Sequence, residues 1–266
     1  MTGLAPPASA RLLATALLIF TALVMLVPLG VVIASSFSES QFLVFPPRGF
    51  SFRWYGEILG SQAYLSAAWT SLRVAVIVTA LSVLVGTPVA IALAKSSTPG
   101  RAALSGLFLS PLVLPTLIFG IGLLMAMSIW LGGPSIWGLV VGHLVICVPY
   151  VIRTVSAVLS RADPQLEEAA RTMGANVWRR YIHVVLPQCR TGMAAGAFFA
   201  FNISFDDAVI ALFVRAPGVE TLPIRIYGQL EFSPDPSVAA VSTLMILVSA
   251  VLVLLVDRAI GLDRMA

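Results

Sequence analysis

Apolar residues gather along this chain into long uncharged runs, cut by short charged stretches. A helix needs about 20 mostly apolar residues to cross the hydrocarbon of a bilayer. The first run extends from Leu12 to Ser38, between Arg11 and Glu39. Its apolar part, Leu12 to Ala34, is longer than the roughly 7–15 residues of a secretory signal's apolar region, so a retained span is expected, kinked or ended near Pro28. A second covers Val74–Ala94, with its start a turn or two earlier near Ala67. It stops at Lys95, before the turn cluster Ser96-Ser97-Thr98-Pro99-Gly100. No charge occurs from Ala102 to Ile152, which is room for two spans joined by a hairpin at Leu131-Gly132-Gly133-Pro134-Ser135. A fifth span is expected from Arg190 to about Val214, interrupted by Asp206 and Asp207. The sixth is Pro236–Val256, closed by Asp257 and Arg258. The pattern predicts an all-α polytopic membrane protein with six transmembrane helices.

Composition excludes the soluble alternatives. The chain is 59% hydrophobic and 11% charged, where soluble domains carry about 25% charged residues. That leaves too little polar surface to coat a globule in water. The net charge of +4 does not point to nucleic acid, because the basic residues are dispersed among apolar runs. Their placement gives orientation instead. With the N-terminus in the cytoplasm, eleven Lys and Arg fall in the inside segments and five in the outside ones, so both termini are expected inside. Residues 1–66 then hold the first span and an external loop, 67–258 the core, and 259–266 a cytoplasmic tail.

One loop between the fourth and fifth spans has the marks of a short helix over 163–174. Asp163 is a candidate N-cap, Pro164 suits the first helical position, and Glu167 and Glu168 sit where negative charge suits the helix dipole. Gly174 is placed for a left-handed C-terminal cap. Leu166, Ala169, Ala170 and Met173 share i, i+3, i+4, i+7 spacing and predict a shallow apolar stripe. A helix lying on lipid would carry bulkier residues there, so a protein groove is the better match.

Glu168-Ala169-Ala170, then three residues, Gly174, then nine residues and Val184-Val185-Leu186-Pro187 resembles the EAA loop of ABC importer permeases. Val184 in place of Ile is the only departure from the family pattern. Pro111-Leu112-Val113-Leu114-Pro115 is also similar to the family, and the resemblance runs from about Ala67 to Arg258. Ser204-Phe205-Asp206-Asp207, with Leu222-Pro223 and Ile226-Tyr227, resembles the spermidine/putrescine branch.

The resemblance implies a type I, MetI-like permease fold in a bacterial inner membrane. It also implies a non-catalytic subunit, with ATP and Mg bound by a partner ATPase and no cofactor in this chain. Leu166, Glu168, Ala169, Ala170, Met173, Gly174, Val184, Leu186 and Pro187 would couple to that ATPase. The segment Asn176–Leu186, with Trp178 and Tyr181 at headgroup depth, would pass the motion to the fifth span through Pro187. Two ATP-binding subunits, a second permease, a periplasmic binding protein and surrounding lipid are the implied partners. Ser204, Phe205, Asp206 and Asp207 are the pathway candidates.

Other chemistry finds little support in the residues. The chain has no G-x-x-x-x-G-K-[ST] phosphate loop and no G-x-S-x-G nucleophile motif. His143 and His183 stand forty residues apart, so hydrogen-bonded or interfacial roles are expected rather than a metal site. Cys147 and Cys189 are expected as buried free thiols. Gly86, Gly120, Gly122, Gly138 and Gly142 are expected at helix contacts; Gly120 and Gly122 could instead line a pore. An ion-coupled secondary transporter is the rival reading, although no internal repeat supports it. For Asp206 and Asp207 two readings stay open. A carboxylate within a span costs roughly 2.5–3.5 kcal/mol, so the pair either lines a passage or marks the end of a helix.

Overall fold

A computed structural model describes residues 8–96 and 99–260. Ser97, Thr98, Arg264 and most of the expected tail lie outside the described residues. These fall into two compact units: the chain up to Ser61 with Gly228–Leu247, and Gln62–Tyr227 with the chain from Val248 onward.

In the first unit, α1 (Ala8–Ser36) is one continuous helix with Pro28 inside it. From Leu12 to Val27 its large apolar side chains are all exposed. A knot of aromatic residues follows. Phe37 stacks on Phe50 at 5.1 Å, Ser36 Oγ lies 2.7 Å from the Tyr55 hydroxyl, and Trp54 Nε1 donates to the Ser38 carbonyl at 2.9 Å. Tyr55 and Trp54 come from α2 (Arg53–Gly60).

The second unit is built on α3 (Gln62–Lys95), which starts before the expected Ala67 and runs 34 residues. Next come α4 (Arg101–Leu109), a 3₁₀ turn (Ser110–Leu112) and α5 (Thr116–Trp130). The third expected span, before the Leu131–Ser135 hairpin, therefore bends by 96° between its two helices. The physical cause lies in Pro111 and Pro115, which lack the N–H that would carry a helix through, and Pro115 is extended at ψ 118°. Gly132 and Gly133, at φ 76° and 123°, turn the chain into α6 (Ile136–Leu159), and Ser135 caps it by accepting from the Gly138 N–H at 3.0 Å.

After α7 (Pro164–Thr172) and α8 (Val177–Arg180) comes a π-helical turn (Tyr181–Val185), then α9 (Leu186–Gln188) and α10 (Arg190–Asp206). Pro187 explains the π turn. It cannot donate to the carbonyl four residues back, so the ladder widens ahead of it. The chain continues through α11 (Val209–Val214), α12 (Leu222–Phe232) and α13 (Pro236–Ile260).

Among the described residues four helices, α1, α3, α6 and α13, are long and apolar enough to cross a membrane, and the bent pair makes up to five. The expected fifth span is broken: α10 has 17 residues and stops at Asp206. Its carboxylates end the helix where hydropathy alone would continue it.

Helices α3, α6 and α10 pack on one another as the core of this unit, and small residues allow the approach. A Cβ on Gly196 would meet Thr154 Oγ1 at 2.7 Å and Val151 Cα at 2.9 Å, and one on Gly192 would meet Val155 Cα at 2.8 Å. Gly86 lies as tightly on Val151, Gly138 on Met127, Gly142 on Leu123, and Gly120 on Phe213, whereas Gly122 faces open space. Cys147 and Cys189 are buried free thiols.

Candidate functional site

Two regions of the second unit hold the residues singled out by sequence. The first is α7. Asp163 Oδ1 accepts the Gln165 N–H at 2.9 Å, and Pro164 opens the helix. At the other end Gly174 has φ +83°, its N–H bonds the Arg171 carbonyl, and the Ala175 N–H reaches back to the Ala170 carbonyl, each at 3.0 Å. This paired closure is a Schellman cap.

The apolar stripe does not stay in one piece. Leu166 and Met173 are 53% and 81% exposed and Ala169 is exposed with them, but Ala170 is buried. Ala170 belongs to the chain's own packing, where α7 rests on α8 and the π turn. Val184 in that turn is half-buried, as are Leu186 and Pro187 just after it, so both halves of the motif meet. Leu186 lines an apolar cavity of about 770 Å³ together with Trp178, Tyr181 and Pro88.

Charge divides the two glutamates. Glu168 faces outward and, among the described residues, pairs with Arg171 of its own helix at 2.5 Å. Glu167 instead ion-pairs with Lys95, the last residue of α3, and lies 3.8 Å from Arg180 Nη1. Sequence reasoning gave Glu167 only a dipole role. No spacing rule could have linked it to a lysine 72 positions away.

The second region is the break between α10 and α11. Ser204 and Phe205, expected along the pathway, are buried within the chain. Ser204 Oγ lies 2.8 Å from His143 Nδ1, and Phe205 stacks on Phe201 at 5.5 Å. Asp207 is extended at ψ 118°, and its Oδ2 caps α11 by accepting the Ile210 N–H at 2.8 Å. Of the four, Asp206 alone is exposed. The helix-end reading therefore holds for the backbone, and the exposed carboxylate stands at that end.

A sequence profile of the binding-protein-dependent transport system inner membrane component family matches residues 86–262. The chain belongs to this family. It is accordingly a multi-pass inner-membrane permease of the ABC importer type, all-α and of the type I fold. The permease is 32% identical over 231 residues to the spermidine/putrescine transport system permease protein PotC of Escherichia coli K12, covering 86% of each chain. It is also 32% identical to the putrescine transport system permease protein PotI of the same strain, over 82% of this chain and 80% of that one. Among solved structures, a bacterial ABC transporter involved in the import of the acidic polysaccharide alginate matches with a TM-score of 0.66 at 19% identity, covering 96% of this permease and 99% of that chain. A shared fold thus serves an acidic cargo elsewhere, and cargo must be argued from the residues.

Proposed function

We propose that this permease forms half of the transmembrane pathway of an importer for a small cation, a polyamine such as spermidine or putrescine. The chain performs no chemistry of its own. ATP and Mg are bound by a separate ATPase, present as two subunits, and a second homologous permease completes the passage. A periplasmic binding protein delivers the cargo. The exposed residues Leu166, Ala169 and Met173, with Glu168 beside them, form the surface that seats in the ATPase, and Gly174 fixes the end of that helix. Both termini lie in the cytoplasm, which puts α7 on the ATPase side.

The observation that carries the reading is Asp206. It is an exposed carboxylate next to the buried Ser204 and Phe205, at the end of a helix about 25 Å long at 1.5 Å per residue. Lipid would penalise such a charge heavily, so the side chain belongs in a passage or against a neighbouring chain. Negative charge in a narrow low-dielectric passage attracts amines and repels anions. The polyamine transport named for the relatives agrees with that sign.

Uptake of radiolabelled spermidine by the assembled complex tests the reading. Asp206→Asn should abolish uptake while the ATPase stays bound; normal uptake in this variant would return Asp206 to a plain helix terminus. Orientation has its own test, in a background lacking Cys147 and Cys189. Single cysteines at Ser135 and Ser233 should react in intact cells with an impermeant thiol reagent, and protection of both would invert the topology.

A further inference from the structure

One polar side chain in the core has no part in the reading so far. His143 lies on α6 with none of its surface exposed, between the buried Leu139 and Cys147. Its Nδ1 is 2.8 Å from Ser204 Oγ on α10, and its Nε2 is 3.4 Å from Asp207 Oδ2. Nε2 forms no hydrogen bond among the described residues, so Asp207 Oδ2 stands beside it as a near polar neighbour without being bonded to it. A neutral ring that accepts the Ser204 hydroxyl at Nδ1 carries its proton on Nε2, beside the Asp207 carboxylate, and the contact there is an electrostatic approach, not a formed hydrogen bond. An apolar residue would fill this place without leaving a buried polar atom poorly satisfied.

Asp207 is where the ring's influence ends. One oxygen, Oδ2, faces His143 and at the same time holds the N–H of Ile210 at the start of α11. Its orientation is therefore fixed from two sides, by a helix it caps and by a helix it does not belong to. The residue before it is Asp206, the last of α10. If Asp207 were free to turn, the start of α11 would lose its cap and the break next to Asp206 would lose its fixed direction.

We infer that His143 is a positioning residue for transport: the close approach of its Nε2 to Asp207 Oδ2 steadies the break between α10 and α11, and with it the direction of the Asp206 carboxylate. The inference rests on the reading of Asp206 as the carboxylate that meets the cation. His143 itself never meets the cargo, being closed off within α6 and α10.

The test uses the complete complex in proteoliposomes, with binding protein, spermidine and ATP, and follows spermidine moved per ATP hydrolysed. His143→Leu should lower that ratio severalfold, because it removes the polar ring edge that lies 3.4 Å from Asp207 Oδ2, with stimulated ATP hydrolysis unchanged. A merely structural defect would lower uptake and hydrolysis together. His143→Gln, whose amide can donate to Asp207 and accept from Ser204, should restore most of the ratio. The double variant His143→Leu, Asp207→Asn should be no worse than Asp207→Asn alone, because both act through one contact. An unchanged ratio in His143→Leu, multiplied effects in the double variant, or failure of glutamine to rescue would each overturn the positioning role. Should His143→Leu not assemble, Ser204→Ala decides: it releases the other ring nitrogen and should lower the ratio severalfold, and a normal ratio overturns the role. Asp206→Asn in the same assay separates the two claims. Undiminished uptake there removes the pathway reading beneath the inference, while lost uptake there with a normal His143→Leu removes the inference alone.

Discussion

The region around α7 and the break between α10 and α11 are built in opposite ways. At α7 the defining bonds join sequence neighbours: Asp163 to Gln165, Gly174 to Arg171, Ala175 to Ala170. Most of its side chains are exposed, and it could adopt much of its form from local sequence alone. At the break the partners are remote. His143 and Ser204 are 61 positions apart, and the glycines of α10 touch the backbone of α6. A surface intended for a partner needs a defined shape that can be approached, and local caps supply that. A carboxylate held within a membrane needs its direction fixed, and only packing from several helices supplies that.

The difference predicts how each region breaks. The largest effect is expected from Gly196→Leu, because a Cβ there would stand 2.9 Å from the Val151 Cα, which cannot step aside as a side chain can. Overpacking of this kind costs about 1–3 kcal/mol or more, and the purified complex should melt at markedly lower temperature or fail to assemble. A wild-type melting profile would show that the α6–α10 contact is softer than the geometry requires. Gly174→Val comes next. Its φ of +83° penalises a β-branched residue by about 1–2 kcal/mol. The cost falls on one helix end, so membrane levels should hold while ATP hydrolysis and uptake lose their link. Smallest is Asp163→Ala, which removes one exposed cap worth about 1 kcal/mol. Hydrogen exchange should quicken at the Gln165 amide, with the core of α6 and α10 unaffected; faster exchange in the core would end the claim that the two regions are independent.

The same contrast decides what could be read from the sequence. The caps of α7 were legible because each is a residue type at a fixed offset, and the all-α membrane class followed from the apolar runs. Pro111 and Pro115 mark the 96° bend, but hydropathy has no term for direction and does not show it. Ala170 was grouped with Leu166 and Met173 by spacing, yet one position on a narrow helix is enough to turn it inward. Ser204 and Phe205 were assigned to the pathway with the acidic pair beside them. Their burial depends on α6 and on Phe201, which periodicity does not locate. Gly192 and Gly196 carry a legible signal in their small-x-x-x-small spacing, which hydropathy does not weigh.

The ion pairs of Glu167 have a mechanical consequence. Its carboxylate ties α7 to the end of α3 through Lys95 and to the segment before α10 through Arg180. On the proposed coupling role, a push received by α7 would divide, part travelling along the chain through the π turn and part crossing to α3 by electrostatic attraction. The first route is covalent and indifferent to the medium. The second weakens with ionic strength, because the Debye length falls from about 10 Å at 0.1 M salt to about 3 Å at 1 M, and its partners are partly open to solvent. The transmission would thus have a stiff arm and a compliant one, and salt would change the slack between them without loosening either anchor of the chain.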